Sequence, residues 1–164
     1  MSAEELSSFL GEQHTCRFAT TGPDGPHVAP VWFVWDGQAI WVYSLIRSRR
    51  WANVSRDPRV AVVVDDGHHY HELHGVEIEG QATVIGPVPR TGDEDSPELS
   101  EPERLMAAKY FDPASRAASG GEASPTTSGG GPEMTHDGRH AWLRITPLKM
   151  VSWDFRKLAT LPPH

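Results

Sequence analysis

The chain has 164 residues, a formal net charge of −7 and one cysteine. This length suits a single domain over residues 1–164 with a sizeable core, and one cysteine excludes an internal disulfide. The acidic balance argues against nucleic-acid and membrane-surface partners, and the absence of a signal peptide or a membrane span of roughly 20 apolar residues predicts a cytoplasmic protein.

The first half of the chain predicts a helix followed by three consecutive strands. A capping box begins the helix, which covers Ser2–Gln13. Two short turn signals join the three strand-like runs, which are Thr15–Thr21, His27–Trp35 and Ala39–Ser44. His27–Trp35 has almost no polar residue on either face, so we expect both of its faces to be covered. Short turns between consecutive strands predict an antiparallel meander.

A cationic cluster follows the third strand. Arg47, Ser48, Arg49 and Arg50 stand at the start of a short helix that ends before Pro58. A helix N-terminus presents unpaired N–H groups and a partial positive charge, and arginine and serine side chains beside it favour an anion, most naturally a phosphate. In a chain that is acidic overall, this cluster predicts an anion site, and a solvated cationic face is the alternative.

The second half of the chain predicts four more strand-like runs, which are Arg59–Val64, His68–Ile85, His140–Thr146 and Lys149–Phe155. Gly75 and Gly80 interrupt the long run and predict bends or bulges. Pro147 separates the last two runs and predicts a break between them.

A helix and a polar insertion lie between these runs. Glu103–Phe111 has the short apolar face of a helix, and residues 113–138 are rich in Gly, Ser, Ala, Pro and Thr, which predicts a disordered loop. The whole pattern predicts a mainly β protein of six or seven antiparallel strands with short helices. A small closed β-barrel is the economical arrangement for so many strands.

Few other residues carry recognisable chemistry. The chain has no CxxC or HExxH motif, so no metal site is assigned. The histidines of His68–His74 leave open a transition-metal or haem site, because His69 and His71 would share one face of a strand; a solvated strand opening is favoured. Cys16 lies in a strand-like run and is predicted to be a core residue. Trp32 stands in the meander, where flat aromatic walls near an anion site suit a planar, phosphorylated cofactor.

The segments Val28–Phe33, Ile40–Ser44, Arg47–Arg50 and Asn53–Val60, in this order, resemble the pyridoxamine 5'-phosphate oxidase-like split β-barrel family. Gly75–Gly80 and Ser152–Leu158 resemble its flavin/deazaflavin-dependent oxidoreductase branch, which uses coenzyme F420. The resemblance implies an FMN-binding split-barrel fold and a homodimer with two cofactor sites at the subunit interface. The cofactor-binding residues that it implies are Pro30, Val31, Trp32, Ser44, Arg47, Ser48 and Arg50.

The same resemblance implies an F420-dependent oxidoreductase that transfers a hydride between the deazaflavin and a small organic acceptor. The cofactor carries this chemistry, so no catalytic acid or base is assigned, and a structural or solvent-facing role is favoured for Tyr43 and His27. The alternatives are an FMN-binding pyridoxamine-phosphate-oxidase-like protein, a haem-binding barrel that uses His68–His74, and a cofactor-binding module without turnover.

Overall fold

One seven-stranded antiparallel sheet forms the centre of the computed structural model, which describes residues 1–112 and 133–160. The strands are β1 Thr15–Gly22, β2 Gly25–Trp32, β3 Val34–Trp35, β4 Ile40–Leu45, β5 Arg59–Asp66, β6 His74–Ile85 and β7 His140–Asp154. Their order is β2-β1-β5-β6-β7-β4-β3. The predicted hairpins β1–β2 and β3–β4 form, but the strand His27–Trp35, expected to join them in one meander, is divided at Phe33 into β2 and β3 at opposite edges of the sheet. Because Phe33 alone separates β2 from β3 in the chain, the sheet curls until its edges approach. The predicted β-barrel with short helices is confirmed.

In the described part of the chain, three α-helices accompany the sheet: α1 Ala3–Glu12, α2 Arg49–Val54 and α3 Ser100–Met106. The predicted capping box begins α1, where the backbone N–H of Glu5 donates to Ser2 Oγ and the N–H of Ser2 donates to the Glu5 carboxylate. α3 begins three residues earlier than predicted and continues into a π-helical turn, Ala107–Phe111. Within the described residues, no helix is both long and apolar enough to cross a bilayer.

Two apolar clusters pack on the two faces of β4 and β7. Successive side chains of a strand point to opposite faces, so Ile40 and Val42 enter the barrel interior while Trp41 points outward. Outside the barrel, Trp41 packs with Trp142 and with side chains of α3. Cys16 is fully buried in the interior cluster, as predicted.

An ion pair is buried beside the apolar cluster outside the barrel, which is called the outer cluster below. The Arg90 Nε atom donates to Glu103 Oε1 at 2.8 Å, and Trp142 Nε1 donates to the same oxygen at 3.2 Å. Both charged side chains are buried or nearly so. This ion pair joins the chain that leaves β6 to α3 and β7.

The structure corrects two expectations about β2 and β7. The first is that both faces of His27–Trp35 are covered: in β2 the residues alternate, and Pro26, Val28, Pro30 and Trp32 are exposed. β2 is an edge strand, and its outer face is left exposed by the described residues except where Trp32 stacks on Tyr110. The second is a break at Pro147, because β7 is continuous through it.

A β-bulge explains how β7 passes Pro147. Glu79 pairs with Lys149 and Gly80 pairs with Pro147, so Leu148 is the extra residue. A Cβ atom on Gly80 would lie 2.5 Å from the Thr146 carbonyl oxygen, so this position requires glycine. The bulge predicted at Gly80 is therefore confirmed, whereas Gly75, where one was also predicted, pairs in regular register with Asp65 and Trp153.

The predicted strand His68–Ile85 begins only at His74, because a 3-10 turn occupies Tyr70–Glu72. The expectation that His69 and His71 share a strand face is therefore wrong. Their rings nevertheless stack in parallel, with centroids 5.8 Å apart. Of the predicted disordered loop, residues 113–132 lie outside the described residues, and Met134 beyond them is buried in the outer cluster.

Candidate cofactor site

The short helix α2 is capped at its N-terminus and attached to the barrel near its C-terminus. Ser48 is its N-cap, and the Ser48 hydroxyl accepts a hydrogen bond from the Trp51 N–H at 3.1 Å. Near the other end, the buried Asn53 Nδ2 donates to Thr20 Oγ1 of β1 at 3.0 Å. Gly22 leaves the room that the Asn53 side chain occupies. These contacts fix the direction in which the residues of the first turn point.

Arg50 turns from this helix toward the barrel. Its Nε atom donates to the hydroxyl of the fully buried Ser44 at 3.2 Å, and its guanidinium carbon lies 5.8 Å from the centroid of the Phe18 ring. Burial lowers the pKa of Arg50, but an arginine stays charged at any physiological pH. Among the described residues, no carboxylate lies within 4 Å of its guanidinium group. Arg50 is thus a half-buried cation whose terminal nitrogens are available to an anion.

The other arginines of the cluster lie at the surface. Arg47 and Arg49 are exposed, and Arg49 lies 3.9 Å from the carboxylate of Asp24. The structure therefore brings Ser44 and Arg50 into contact and places Ser48 one turn away as the cap. It leaves Arg47 in solvent at the start of the helix.

A second polar group near α2 lacks a partner. His27 Nδ1 is buried and has no hydrogen-bond partner among the described residues. His27 pairs in the sheet with Thr20, the residue that Asn53 contacts. A buried polar atom normally has a hydrogen-bond partner, so this atom and the Arg50 guanidinium, which has no carboxylate partner among the described residues, are two groups near α2 that a polar ligand could satisfy.

The β2 residues of the predicted site face in different directions. Val31 packs against the barrel interior, whereas Pro30 and Trp32 lie on the outer face. Trp32 is 55% exposed, and one face of its indole stacks on Tyr110 at a centroid distance of 4.5 Å and an angle of 14°. The outer face of the hairpin also carries a groove of about 620 Å³, which Pro30 and Arg17 line. An exposed indole face beside such a groove can pack against a flat ring.

The predicted site has two parts, the Arg50–Ser44 contact beside α2 and the outer face of β2 at Pro30. Within one chain, these two parts lie on opposite sides of β1. Arg50 approaches the ring of Phe18, which is buried in the interior. Arg17, the preceding residue, points outward, forms an ion pair with Asp65 and lines the groove beside Pro30. The structure therefore does not join Arg50 and Pro30 in one pocket of a single chain.

The remaining candidates take other roles. Tyr43 lies outside the barrel, its hydroxyl is 3.3 Å from His136 Nδ1, and burial raises its pKa to about 12. In the histidine-rich run, the His74 ring is held at 2.7 Å from the Glu72 carbonyl oxygen. No group of three or more metal-ligating side chains is assembled anywhere in residues 1–112 and 133–160.

The curled antiparallel sheet defines a split β-barrel protein. The sequence matches the pyridoxamine 5'-phosphate oxidase family over residues 2–154, and the chain therefore belongs to that family. This is a flavin-binding family that includes oxidoreductases. A comparison with curated proteins finds no match.

Solved structures with the same fold include proteins of several kinds. The conserved hypothetical protein Rv2991 from Mycobacterium tuberculosis is 26% identical, with a TM-score of 0.63 over 100% of this chain and 91% of that one. An F420 reductase is 22% identical, with a TM-score of 0.58 over 89% and 95% of the two chains. The haem storage protein HutZ from Vibrio cholerae is 15% identical, with a TM-score of 0.64 over 90% and 92%.

Some residues around the site were not predicted from the sequence. The Asn53–Thr20 contact and the stacking of Trp32 on Tyr110 join residues that are 33 and 78 positions apart. Such pairs leave no local pattern in a single sequence. The buried position of Ser44 could have been predicted, because it follows Ile40 and Val42 at a spacing of two.

Proposed function

We propose that the protein is an F420-dependent oxidoreductase that acts on a small organic acceptor. When bound, the deazaflavin supplies the hydride chemistry. The proposal depends above all on Arg50, a half-buried cation that Ser44 orients and that has no carboxylate partner among the described residues. Membership of a flavin-binding family supports it. The cytoplasm is the location that we propose with it.

The residues of this chain would hold the cofactor at two points. The Arg50 guanidinium would donate charge-assisted hydrogen bonds to a phosphate or carboxylate oxygen, and the Ser44 contact sets the plane of the guanidinium in advance. The Ser48 hydroxyl accepts from the helix and can still donate its own proton to the same anion. The exposed face of Trp32 would cover a flat ring and exclude water from it.

The choice of F420 over FMN follows from the number of cations. FMN carries one phosphate, which Arg50 and Ser48 could hold alone. F420 has a longer acidic tail, and Arg47 and Arg49 are exposed on the same segment, where they could contact such a tail. FMN remains the second candidate, since it needs the same Arg50 anchor.

A fluorescence titration of the purified protein with F420 and with FMN tests the proposal. We expect Arg50→Gln to weaken F420 binding roughly 10- to 100-fold, because hydrogen bonds to charged groups contribute about 1.5–3 kcal/mol. Arg104→Gln is the control, since Arg104 is exposed and pairs with Glu101. Far-ultraviolet circular dichroism checks the fold of each variant.

Three results would contradict the F420 assignment. The first is unchanged F420 affinity in a folded Arg50→Gln variant, and the second is binding of FMN without F420. The third is a purified protein with a Soret band, which would indicate haem. Oxidation of reduced F420 on addition of an acceptor would separate an enzyme from a binding module.

We also propose that a second copy of the chain completes the site. The outer row of β2, which is Pro26, Val28, Pro30 and Trp32, is exposed and apolar. The Val28 side chain, for example, is 64% exposed. A homodimer that buries this row would cover an edge strand and could bring the Pro30 groove of one subunit toward Arg50 of the other. Sedimentation velocity of the wild-type protein should show a dimer. Val28→Asp should shift the equilibrium toward monomer. Val88→Asp is the control, because Val88 is also exposed but lies in the connection after β6, and it should leave the dimer unchanged. A monomeric wild-type protein would refute this arrangement.

A further inference from the structure

Lysines occur at three positions of the chain, and their surroundings differ. The Lys149 ammonium is exposed and lies 3.0 Å from the Glu79 carboxylate, which raises its pKa. Lys157 is also exposed and lies 2.7 Å from Glu5. Lys109 is half-buried, and no carboxylate lies within 4 Å of its Nζ atom in the part of the chain that the structure describes.

The Lys109 amine lies against aromatic rings. Its Nζ atom is 4.3 Å from the ring centroid of Phe33 and 5.7 Å from that of Tyr110. Within residues 1–112 and 133–160, the one hydrogen bond that it makes is to the Leu10 carbonyl oxygen, at 3.3 Å. Burial in these apolar surroundings lowers the pKa of Lys109 to about 8, because the charged form loses more hydration than the neutral form.

Lys109 also lines a pocket of about 380 Å³, which is within the range of small-molecule sites, and Leu10 and Phe33, which its amine contacts, are next in sequence to the lining residues Gly11 and Val34. Val34, Trp35 and Leu105 give the pocket apolar walls. Glu12 and His14 lie at its rim and are exposed. Lys109 belongs to the π-helical turn Ala107–Phe111, and such turns occur frequently at functional sites.

We propose that Lys109 is a reactive amine that forms a reversible imine with small aromatic aldehydes that enter this pocket. The nitrogen lone pair forms a bond to the carbonyl carbon, and the carbonyl oxygen leaves as water with the two protons of the amine. Water reverses the reaction, so no oxidant or reductant takes part. A desolvated lysine in an apolar pocket is the usual form of an imine-forming residue.

Competitive labelling of the wild-type protein tests the proposal without a variant. The native protein is treated at pH 7.5 with limiting benzaldehyde and sodium cyanoborohydride, which reduces an imine to a stable amine. Peptide mass spectrometry then gives the labelling rate of each lysine, and the N-terminal amine is scored on its own peptide. The lower pKa leaves more free amine at this pH, so we expect Lys109 to react about tenfold faster, or more, than Lys149 and Lys157.

The same reaction in urea is the first control, because the preference for Lys109 should disappear once the pocket is unfolded. The second control compares Lys109→Met, which keeps an apolar stem and should lose the fast-labelled product, with Lys149→Met, which should retain it. Labelling of Lys109 no faster than of the other two lysines in the native protein would overturn the proposal. So would an equal preference in urea. This test is independent of the cofactor proposal.

Discussion

The Tyr110 hydroxyl joins three segments of the protein, and its removal should cost about 2–4 kcal/mol of unfolding free energy. It accepts from the backbone N–H of Phe33 at 3.0 Å and can donate to the carbonyl oxygen of Phe33 at 2.7 Å or of His14 at 2.6 Å. In Tyr110→Phe the ring still stacks on Trp32, but the buried Phe33 N–H loses its partner. An unsatisfied buried donor costs about 1–3 kcal/mol, and one net hydrogen bond contributes about 0.5–1.5 kcal/mol.

Urea unfolding followed by circular dichroism measures this loss. For a chain of this size, a loss of about 3 kcal/mol corresponds to a fall in Tm of roughly 6–12 °C. Tyr70→Phe is the matched control, because Tyr70 is 71% exposed, and it should change the stability by less than about 0.5 kcal/mol. A loss below about 1 kcal/mol for Tyr110→Phe would show that the hydroxyl does not carry these contacts.

Two further predictions concern ion pairs. Arg90→Met should cost about 3 kcal/mol of unfolding free energy in urea, because it leaves the Glu103 carboxylate without its cation. Arg90→Met/Glu103→Leu should recover part of that loss. An unchanged urea midpoint for Arg90→Met would contradict this prediction. A hydrogen bond from Arg156 lowers the pKa of Asp154 to about 2, so its contribution is present above about pH 4 and is lost as the pH falls towards 2. Asp154→Asn should therefore flatten the dependence of stability on pH in this window, and two parallel curves would refute the assignment.

Much of the fold could be predicted because it depends on local patterns. The capping box of α1, the β1–β2 and β3–β4 hairpins and the bulge opposite Gly80 each follow from a few neighbouring residues. The errors arose where a distant partner decides the outcome. Pro147 does not break β7, because a bulge opposite Gly80 accommodates it. The apolar composition of β2 reflects an exposed edge strand in this chain, which composition cannot distinguish from a covered one.

The predicted site is only partly assembled by the chain. Arg50 and Ser44 were nominated from the sequence and are in contact, but Arg47 is exposed and Pro30 lies across β1 from them. Helix-end chemistry could indicate a cationic cluster without saying which arginine turns inward. Arg50 turns inward because it contacts Ser44 of β4 and Phe18 of β1, two strands that are not adjacent in the sheet order.

The connection between β2 and β3 consists of one residue, Phe33, so the edge where the barrel closes leaves no room for a change in chain length. Phe33 fills the interior and Val34 fills the outer cluster, so consecutive residues serve different cores. One inserted residue here would turn Val34 and Trp35 to the opposite faces of the sheet. Val34 would then point into the interior and Trp35 toward the outer cluster, the reverse of their present positions. Variation in chain length should therefore be tolerated far less at this connection than at the surface turns between the other strands.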